Sequence, residues 1–226
     1  MKLNHRSCSP PEIFAREPKD GKVKTRLCRD LPVATVTRLY KAFVNDVLAV
    51  ARKTRCDQRF IYYVGNGSSI PFLKRAKRQF QLRRQTGKDL GERMYRAFHY
   101  CQKKHFGRIV IIGTDCLTLT SRDIETALKK LESTDCVLGP SKDGGYYLIA
   151  LNAPHRKLFE GIDWSTASVL KQTLRRARRL GKRTYLLKGQ EDIDTAVHLK
   201  RFVQRKKSPS VAPHTQKVLQ NLSLFN

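Results

Sequence analysis

Arg108-Ile109-Val110-Ile111-Ile112-Gly113-Thr114-Asp115 sets four consecutive branched apolar residues in front of a Gly-Thr-Asp turn. A short run that is apolar on both faces, with no alternation, is the pattern of a parallel strand buried between two layers of helices. In an open α/β sheet the ligand crevice lies beyond the carboxyl ends of the strands, so the strand delivers the carboxylate of Asp115 to that crevice. An acid there suits Mg2+ or Mn2+, hard cations that bridge one or two carboxylates to substrate phosphates. The local alternative is that Asp115 only caps the turn that follows.

Upstream of this strand, apolar residues at 90, 94, 97 and 101 predict a helix that feeds it. Phe60-Ile-Tyr-Tyr-Val64 reads as a strand closed by Gly65-Asn-Gly67, and the basic segment 70–80 as a helix. The spacing 39, 43, 47, 50 predicts an amphipathic helix over 36–52. Pro10-Pro11-Glu-Ile-Phe-Ala15 reads as an opening strand cut short, because proline cannot donate to a central ladder.

Downstream, Thr120 and Asp123 form a capping-box pattern for a helix through Leu131. Strands follow at 136–138 and 146–151, separated by Gly139-Pro-Ser-Lys-Asp-Gly-Gly145. Ser165 is the expected N-cap of a helix that Gly181 ends. A strand at 184–187 and a helix over 195–206 complete the pattern. The alternation predicts an α/β protein, a three-layer α/β/α sandwich on a mostly parallel sheet. Residues 1–206 are expected to form a single domain, and 207–226 a linker and tail in which no element is evident.

The chain has 226 residues and a formal charge of +27, which calls for an anionic partner or for many solvated basic faces. Nucleic acid enters on this ground alone, as non-specific charge-driven binding; no helix-turn-helix or aromatic-rich strand pattern accompanies the charge. Six cysteines are scattered without a C-x-x-C pair, which argues against a zinc site and a disulfide framework. No apolar run is long enough to span a membrane, and the basic first residues lack an apolar signal core, so a cytoplasmic location is expected. The oligomeric state is not legible.

Four stretches at strand ends carry chemistry. In the loop 16–26, Gly21 permits a tight turn while Arg16, Lys22, Lys24 and Arg26 offer positive charge to phosphates. The pattern is not a Walker A loop. Gly113-Thr-Asp115 is the second. In Lys142-Asp-Gly-Gly145, Gly144 and Gly145 would let a ligand approach the backbone and Asp143 would hold a hydroxyl, unless the segment is only a tight turn. In Glu191-Asp-Ile-Asp194, alternate residues share a side, so Asp192 and Asp194 can join Asp115 around one cation.

These residues resemble a known family. Phe14-Ala-Arg-Glu-Pro, Gly21-Lys-Val-Lys-Thr-Arg-Leu27, Gln85-Thr-Gly-Lys-Asp-Leu-Gly-Glu-Arg-Met94, Ile112-Gly-Thr-Asp115, Leu138-Gly-Pro, Asp143-Gly-Gly-Tyr-Tyr-Leu148, Phe159-Glu-Gly-Ile-Asp-Trp164 and Asp192-Ile-Asp-Thr195 look like the ordered signature of the DUF2064 proteins. The resemblance runs over about 13–202. It implies the GT-A, or nucleotide-diphospho-sugar transferase, fold shared with the guanylyltransferases of coenzyme F420 and molybdenum-cofactor synthesis. It implies that the loop 16–26, with Gln85, Gly113, Gly144 and Gly145, holds the nucleotide, that Asp115 binds metal and that Asp192 and Asp194 complete the metal site. Departures from the family pattern fall at Pro10-Pro11, at Leu117 and Thr118 in place of an acid and a proline, and at His198 in place of an acid.

The function expected is a metal-dependent transferase with Asp115 and Asp143 at the reacting groups. It would pass a sugar from a nucleoside-diphosphate sugar to a small-molecule acceptor, with Glu92 or Asp143 orienting the acceptor hydroxyl. The alternative enzyme is a nucleotidyltransferase that joins a nucleoside triphosphate to a phosphorylated or carboxylated acid. The alternative of another class is a non-catalytic basic protein that binds nucleic acid on a decayed transferase fold.

Overall fold

The computed structural model describes residues 8–56, 58–65, 75–205 and 211–220. Seven strands form one sheet: β1 (Cys8–Arg16), β2 (Phe60–Val64), β3 (Gln81–Arg84), β4 (Arg108–Ile112), β5 (Cys136–Pro140), β6 (Tyr146–Leu151) and β7 (Thr184–Leu186). Their order is β3-β2-β1-β4-β6-β5-β7. β6 runs antiparallel to β4 and β5, and every other pairing is parallel. Six helices are described: α1 (Val33–Lys53), α2 (Leu90–Lys103), α3 (Ser121–Lys130), α4 (Val169–Arg179), α5 (Ala196–Gln204) and α6 (Pro213–Gln220).

The sandwich expected from sequence is present, and β4 shows why its apolar run is unbroken. Val110 and Ile112 join the core under α1, α3 and α5 through Leu39, Phe43, Ile124 and Leu199. Ile109 joins the opposite core, with Phe98 of α2 and Ala177 of α4, and Ile111 faces the same way. Burying such a side chain stabilises the fold by about 1.5–3 kcal/mol, so both faces of the strand are held by packing.

Four local readings need correction. β1 spans nine residues and is not truncated. Its prolines are tolerated because before Glu12 the strand pairs with β4 alone, through an irregular register between Cys8 and Pro11 that relieves the need for ladder donors. Of the helix expected over 70–80, residues 70–74 lie outside the described residues, and the rest is a single 3-10 turn, Arg75–Arg78, that leads into the unforeseen edge strand β3. Ser165 is not the cap of α4; it has φ +68°, and the helix begins after Ser168.

The tail contains α6. Asp46, in the middle of α1, accepts from the backbone N of His214 (2.9 Å) and Thr215 (2.9 Å) and from the Thr215 hydroxyl (2.6 Å), which docks the first turn of α6 on α1. The capping box of α3 forms as expected, with Thr120 and Asp123 each accepting from the other's backbone N. Gly181, at φ +64°, ends α4.

Candidate active site

At the carboxyl ends of β1 and β4 a cleft of about 860 Å³ opens. The loop after β1 forms one lip, with Arg16, Lys22, Lys24 and Arg26; Gly113, Asp115, Asp192 and Asp194 lie along the floor. Gln85, Asp89 and Arg93 line the side next to β3 and α2, and Trp164, Ser165 and Thr166 face the cleft from the segment before α4. Three of the four stretches singled out in sequence therefore meet here, and Asp143 and Gly145 of the fourth join them.

The three acids are brought together by backbone geometry. Ile193 is buried, and its N donates to the carbonyl of Asp115 (2.9 Å), so its neighbours Asp192 and Asp194 turn outward beside the end of β4. Three features brace this loop from behind. Glu191 is buried and ion-paired with Lys142, Arg201 and Arg205. The N of Asp194 donates to Nδ1 of His198 (3.3 Å). Gln190 accepts from Cys116 (3.1 Å) and from Thr118, tying the loop to the turn after Asp115. The departures at Thr118 and His198 thus have structural partners here.

Lys24 dominates the electrostatics. Its ammonium lies 2.9 Å from Oδ2 of Asp115 and 2.6 Å from Oδ1 of Asp194, with its side chain 5% exposed. Burial lowers its pKa, but the two carboxylates outweigh burial and raise it. Burial likewise pushes Asp194 up, and Lys24 and Arg26 bring it below the usual carboxylate range. Asp192 differs: burial and the charge of Asp115 push it up to about 7, and its Oδ1 is buried with no hydrogen-bond partner among the described residues. Lys24 adopts φ +47° although it is not glycine, a strained backbone of the kind held in place where a side chain has to be aimed. Tyr40 of α1 supports the floor, accepting from the N of Arg16 (2.8 Å) and from the Thr114 hydroxyl (3.3 Å).

Several of the residues expected as ligands also have structural partners within the chain. Gly21, at φ +68°, shapes its loop but does not line the cleft. Gly144, at φ +89°, makes its close approach to Ala167 of the same chain, whose carbonyl O would lie 2.0 Å from a Cβ; the need for glycine is internal packing. Asp143 reaches the cleft, but its Oδ1 accepts from the Ser141 hydroxyl and from the N of Gly145 (2.9 Å), which holds the tight turn. The side-chain N of Gln85 donates to the carbonyl of Tyr62 (2.9 Å) and to that of Ala15 (3.4 Å), joining the ends of β1 and β2 at the cleft wall. Glu92 accepts from the N of Lys88 and pairs with Arg96, and it stays outside the cleft. Cys116 is buried, with its thiol pushed up to about 12 by burial and by the charge of Asp192. Arg93, Trp164 and Ser165 were missed as cleft residues. Arg93 and Trp164 each sat inside a quoted motif and Ser165 was read as a helix cap, but neither charge nor spacing distinguished them as cleft residues.

A seven-stranded, mostly parallel sheet with one reversed strand, and a basic loop facing acids at the strand ends, define the nucleotide-diphospho-sugar transferase fold. The chain belongs to the family of uncharacterized proteins conserved in bacteria called DUF2064, whose model matches residues 47–166. A protein from Desulfovibrio desulfuricans G20, provisionally named a nucleotide-diphospho-sugar transferase, is 29% identical over 96% of each chain, with a TM-score of 0.86. A cytidylyltransferase from Leptospira borgpetersenii superposes with a TM-score of 0.56 at 13% identity over 96% of each chain. The inositol-1-phosphate CTP transferase of T. maritima does so at 0.56 and 12%, over 94% of this chain and 98% of its own; these two likenesses concern the fold. No curated protein matches the sequence. Among the described residues no helix is long and apolar enough to cross a membrane.

Proposed function

We propose that the protein is a transferase with a nucleotide-activated donor, which passes a sugar from a nucleoside-diphosphate sugar to a small acceptor. The observation that carries this reading is Lys24 held between Asp115 and Asp194 in a cleft of about 860 Å³, with Arg16 and Lys22 of the same loop along its lip. Arg16 and Lys22 form no ion pair among the described residues, so their charge is free for a diphosphate. Preorganised cations of this kind stabilise the negative charge that develops on a departing nucleotide.

The donor set fits Mg2+ or Mn2+, with Asp115, Asp192 and Asp194 as its ligands. The orphaned Oδ1 of Asp192, raised in pKa by its neighbour Asp115, is a buried oxygen that a cation would satisfy. As they stand, no three acid, histidine or cysteine side chains among the described residues are grouped closely enough to hold a metal ion, and Lys24 pairs with two of the three acids. A bound divalent ion supplies Lewis-acid neutralisation of the diphosphate. The chain's own residues bind and orient the donor: Arg16, Lys22 and Arg26 along the phosphates, Gln85 and Gly113 at the walls, and Asp143 with Gly145 near the group transferred.

A thermal-shift panel of nucleoside diphosphates, nucleotide sugars and triphosphates, each with and without Mn2+, tests the reading, since a ligand of the native state raises the melting temperature. The expected result is a rise that needs nucleotide and Mn2+ together in the wild type and loses its Mn2+-dependent part in Asp115→Asn. Equal nucleotide affinity in that variant, by calorimetry with Mn2+ present, would sink it. Turnover of CTP or GTP with a small acid, in place of a nucleotide sugar, would reassign the chemistry to nucleotidyl transfer at the same site.

A further inference from the structure

We propose that Arg93 and Trp164 form a subsite for the second substrate, which therefore carries a phosphate or carboxylate group on a small organic body. The inference rests on the nucleotide-site reading and adds the chemistry of the acceptor to it.

Asp89 caps α2, its Oδ1 accepting from the N of Glu92 (2.8 Å), and this fixes the first turn of the helix at the rim of the cleft. Arg93 stands on that turn. Its Nε donates to the carbonyl of Gly87 (3.2 Å), which anchors the guanidinium and leaves its Nη groups for other partners. Among the described residues no carboxylate lies within ion-pair distance of Arg93, although the next arginine on the helix, Arg96, is paired with Glu92 at 2.6 Å. A half-buried, anchored and unpaired guanidinium lining a cleft is matched to an anion, because its planar fork takes a carboxylate or phosphate through two parallel hydrogen bonds. A neutral acceptor would cover this cation and leave it without a partner, at a cost in affinity.

Trp164 supplies the apolar half. Gly91 lies between Leu90 and the rest of the turn that carries Arg93, and a Cβ at Gly91 would come within 2.4 Å of Cζ2 of the indole. The ring is thus seated against the first turn of α2, and it lines the same cleft as Arg93. Its flat surface suits the carbon skeleton of a small molecule whose charged end reaches the guanidinium. The cations of the loop 16–26 come from a different element, so one ligand class need not use both sets.

The test is a titration of the full chain, followed by NMR, with glycerol 3-phosphate, inorganic phosphate and uncharged glycerol, in the presence and absence of saturating nucleoside diphosphate. Wild type, Arg93→Gln, Arg93→Lys and Trp164→Ala are compared, each checked for a wild-type melting temperature. Expected is at least a tenfold loss of glycerol 3-phosphate affinity in Arg93→Gln, with part of it recovered in Arg93→Lys. Trp164→Ala should weaken glycerol 3-phosphate but not inorganic phosphate, and nucleoside diphosphate affinity should stay within about twofold in Arg93→Gln. Undiminished phosphate binding in Arg93→Gln, equal binding of uncharged glycerol, or a parallel loss of nucleoside diphosphate would overturn the subsite. If no nucleotide binds the wild type, the nucleotide reading fails, while the dependence of the phosphate probes on Arg93 is still decided. If Arg93→Gln does not fold, Arg93→Lys decides in its place: unchanged affinities for all probes, with the weaker geometry of lysine, would overturn the assignment.

Discussion

The ammonium of Lys24 stands 2.9 Å from the carboxylate of Asp115, bringing the loop after β1 against the end of β4. The same ammonium reaches Asp194 at 2.6 Å, so one lysine bridges the two acids. On the proposed reading a bound cation and Lys24 would compete for the same carboxylates, and the phosphates of a nucleotide would offer Lys24 an alternative partner.

Replacing Lys24 with methionine removes the competitor. Lys24→Met should bind Mn2+ in the absence of nucleotide more tightly than the wild type. It should also bind nucleoside diphosphate about tenfold or more weakly, since a hydrogen bond to a charged group contributes about 1.5–3 kcal/mol. Calorimetry with each ligand alone measures both changes, and an unaltered Mn2+ affinity would contradict the competition.

Glu12 sets a pH dependence of stability. It is fully buried on β1, accepts from the Cys101 thiol (2.7 Å) and is pushed up to about 8, chiefly by burial, against the lowering effects of Cys101 and Arg83. The sign follows from proton counting. Between the ordinary value of 4.5 and about 8 the unfolded chain has released a proton that the folded chain keeps, so this contribution is complete below 4.5, declines as pH rises and is gone above about 8. Glu12→Gln should match the wild type near pH 4 and exceed its stability at pH 8, the gap opening by on the order of 1.4 kcal/mol per pH unit of that window. Urea melts at pH 4, 6 and 8 would show this; parallel curves for the two proteins would refute it.

The basic helix α4 should be dispensable for catalysis. Val169, Thr173 and Ala177 are buried, whereas Arg175, Arg178 and Arg179 are exposed. Arg175 and Arg178 line a separate groove with Lys171, Lys182 and Arg183 that shares no residue with the cleft. Neutralising Arg175, Arg178 and Arg179 together should leave turnover within about threefold, as exposed substitutions away from a site usually do. Binding to unrelated duplex DNA should weaken and lose part of its salt dependence. A hundredfold loss of turnover in a folded triple variant would place this face in the functional site.

Asp46 should matter for stability and not for chemistry. Asp46→Ala leaves the first-turn N–H groups of His214 and Thr215 without their carboxylate, and loss of such a cap costs about 0.5–2 kcal/mol. Denaturant unfolding should register that loss, and amide exchange over 213–220 should accelerate. An unchanged midpoint would mean that α6 is held by other contacts.

The fold was legible because its strongest signals are local and periodic. The apolar run of β4, the 3-to-4 spacing in α1 and α2 and the capping box of α3 each follow from chain geometry alone, and they fixed the layer order of the sandwich. The acids at 115, 192 and 194 were legible for the same reason: a strand end and an alternating Asp-Ile-Asp both aim side chains by local rules. Three things were decided only by tertiary structure. The prolines of β1 are tolerated because the strand pairs on one side alone where they fall, a property of its neighbours. Gly144 packs against Ala167 and not against a ligand, since a close approach belongs to whichever segment arrives there. Lys24 becomes the counter-charge of Asp115 and Asp194, and Arg93 is left unpaired beside Trp164, because pairing is settled by which side chains distant parts of the chain bring within a few ångströms, and no local periodicity encodes that.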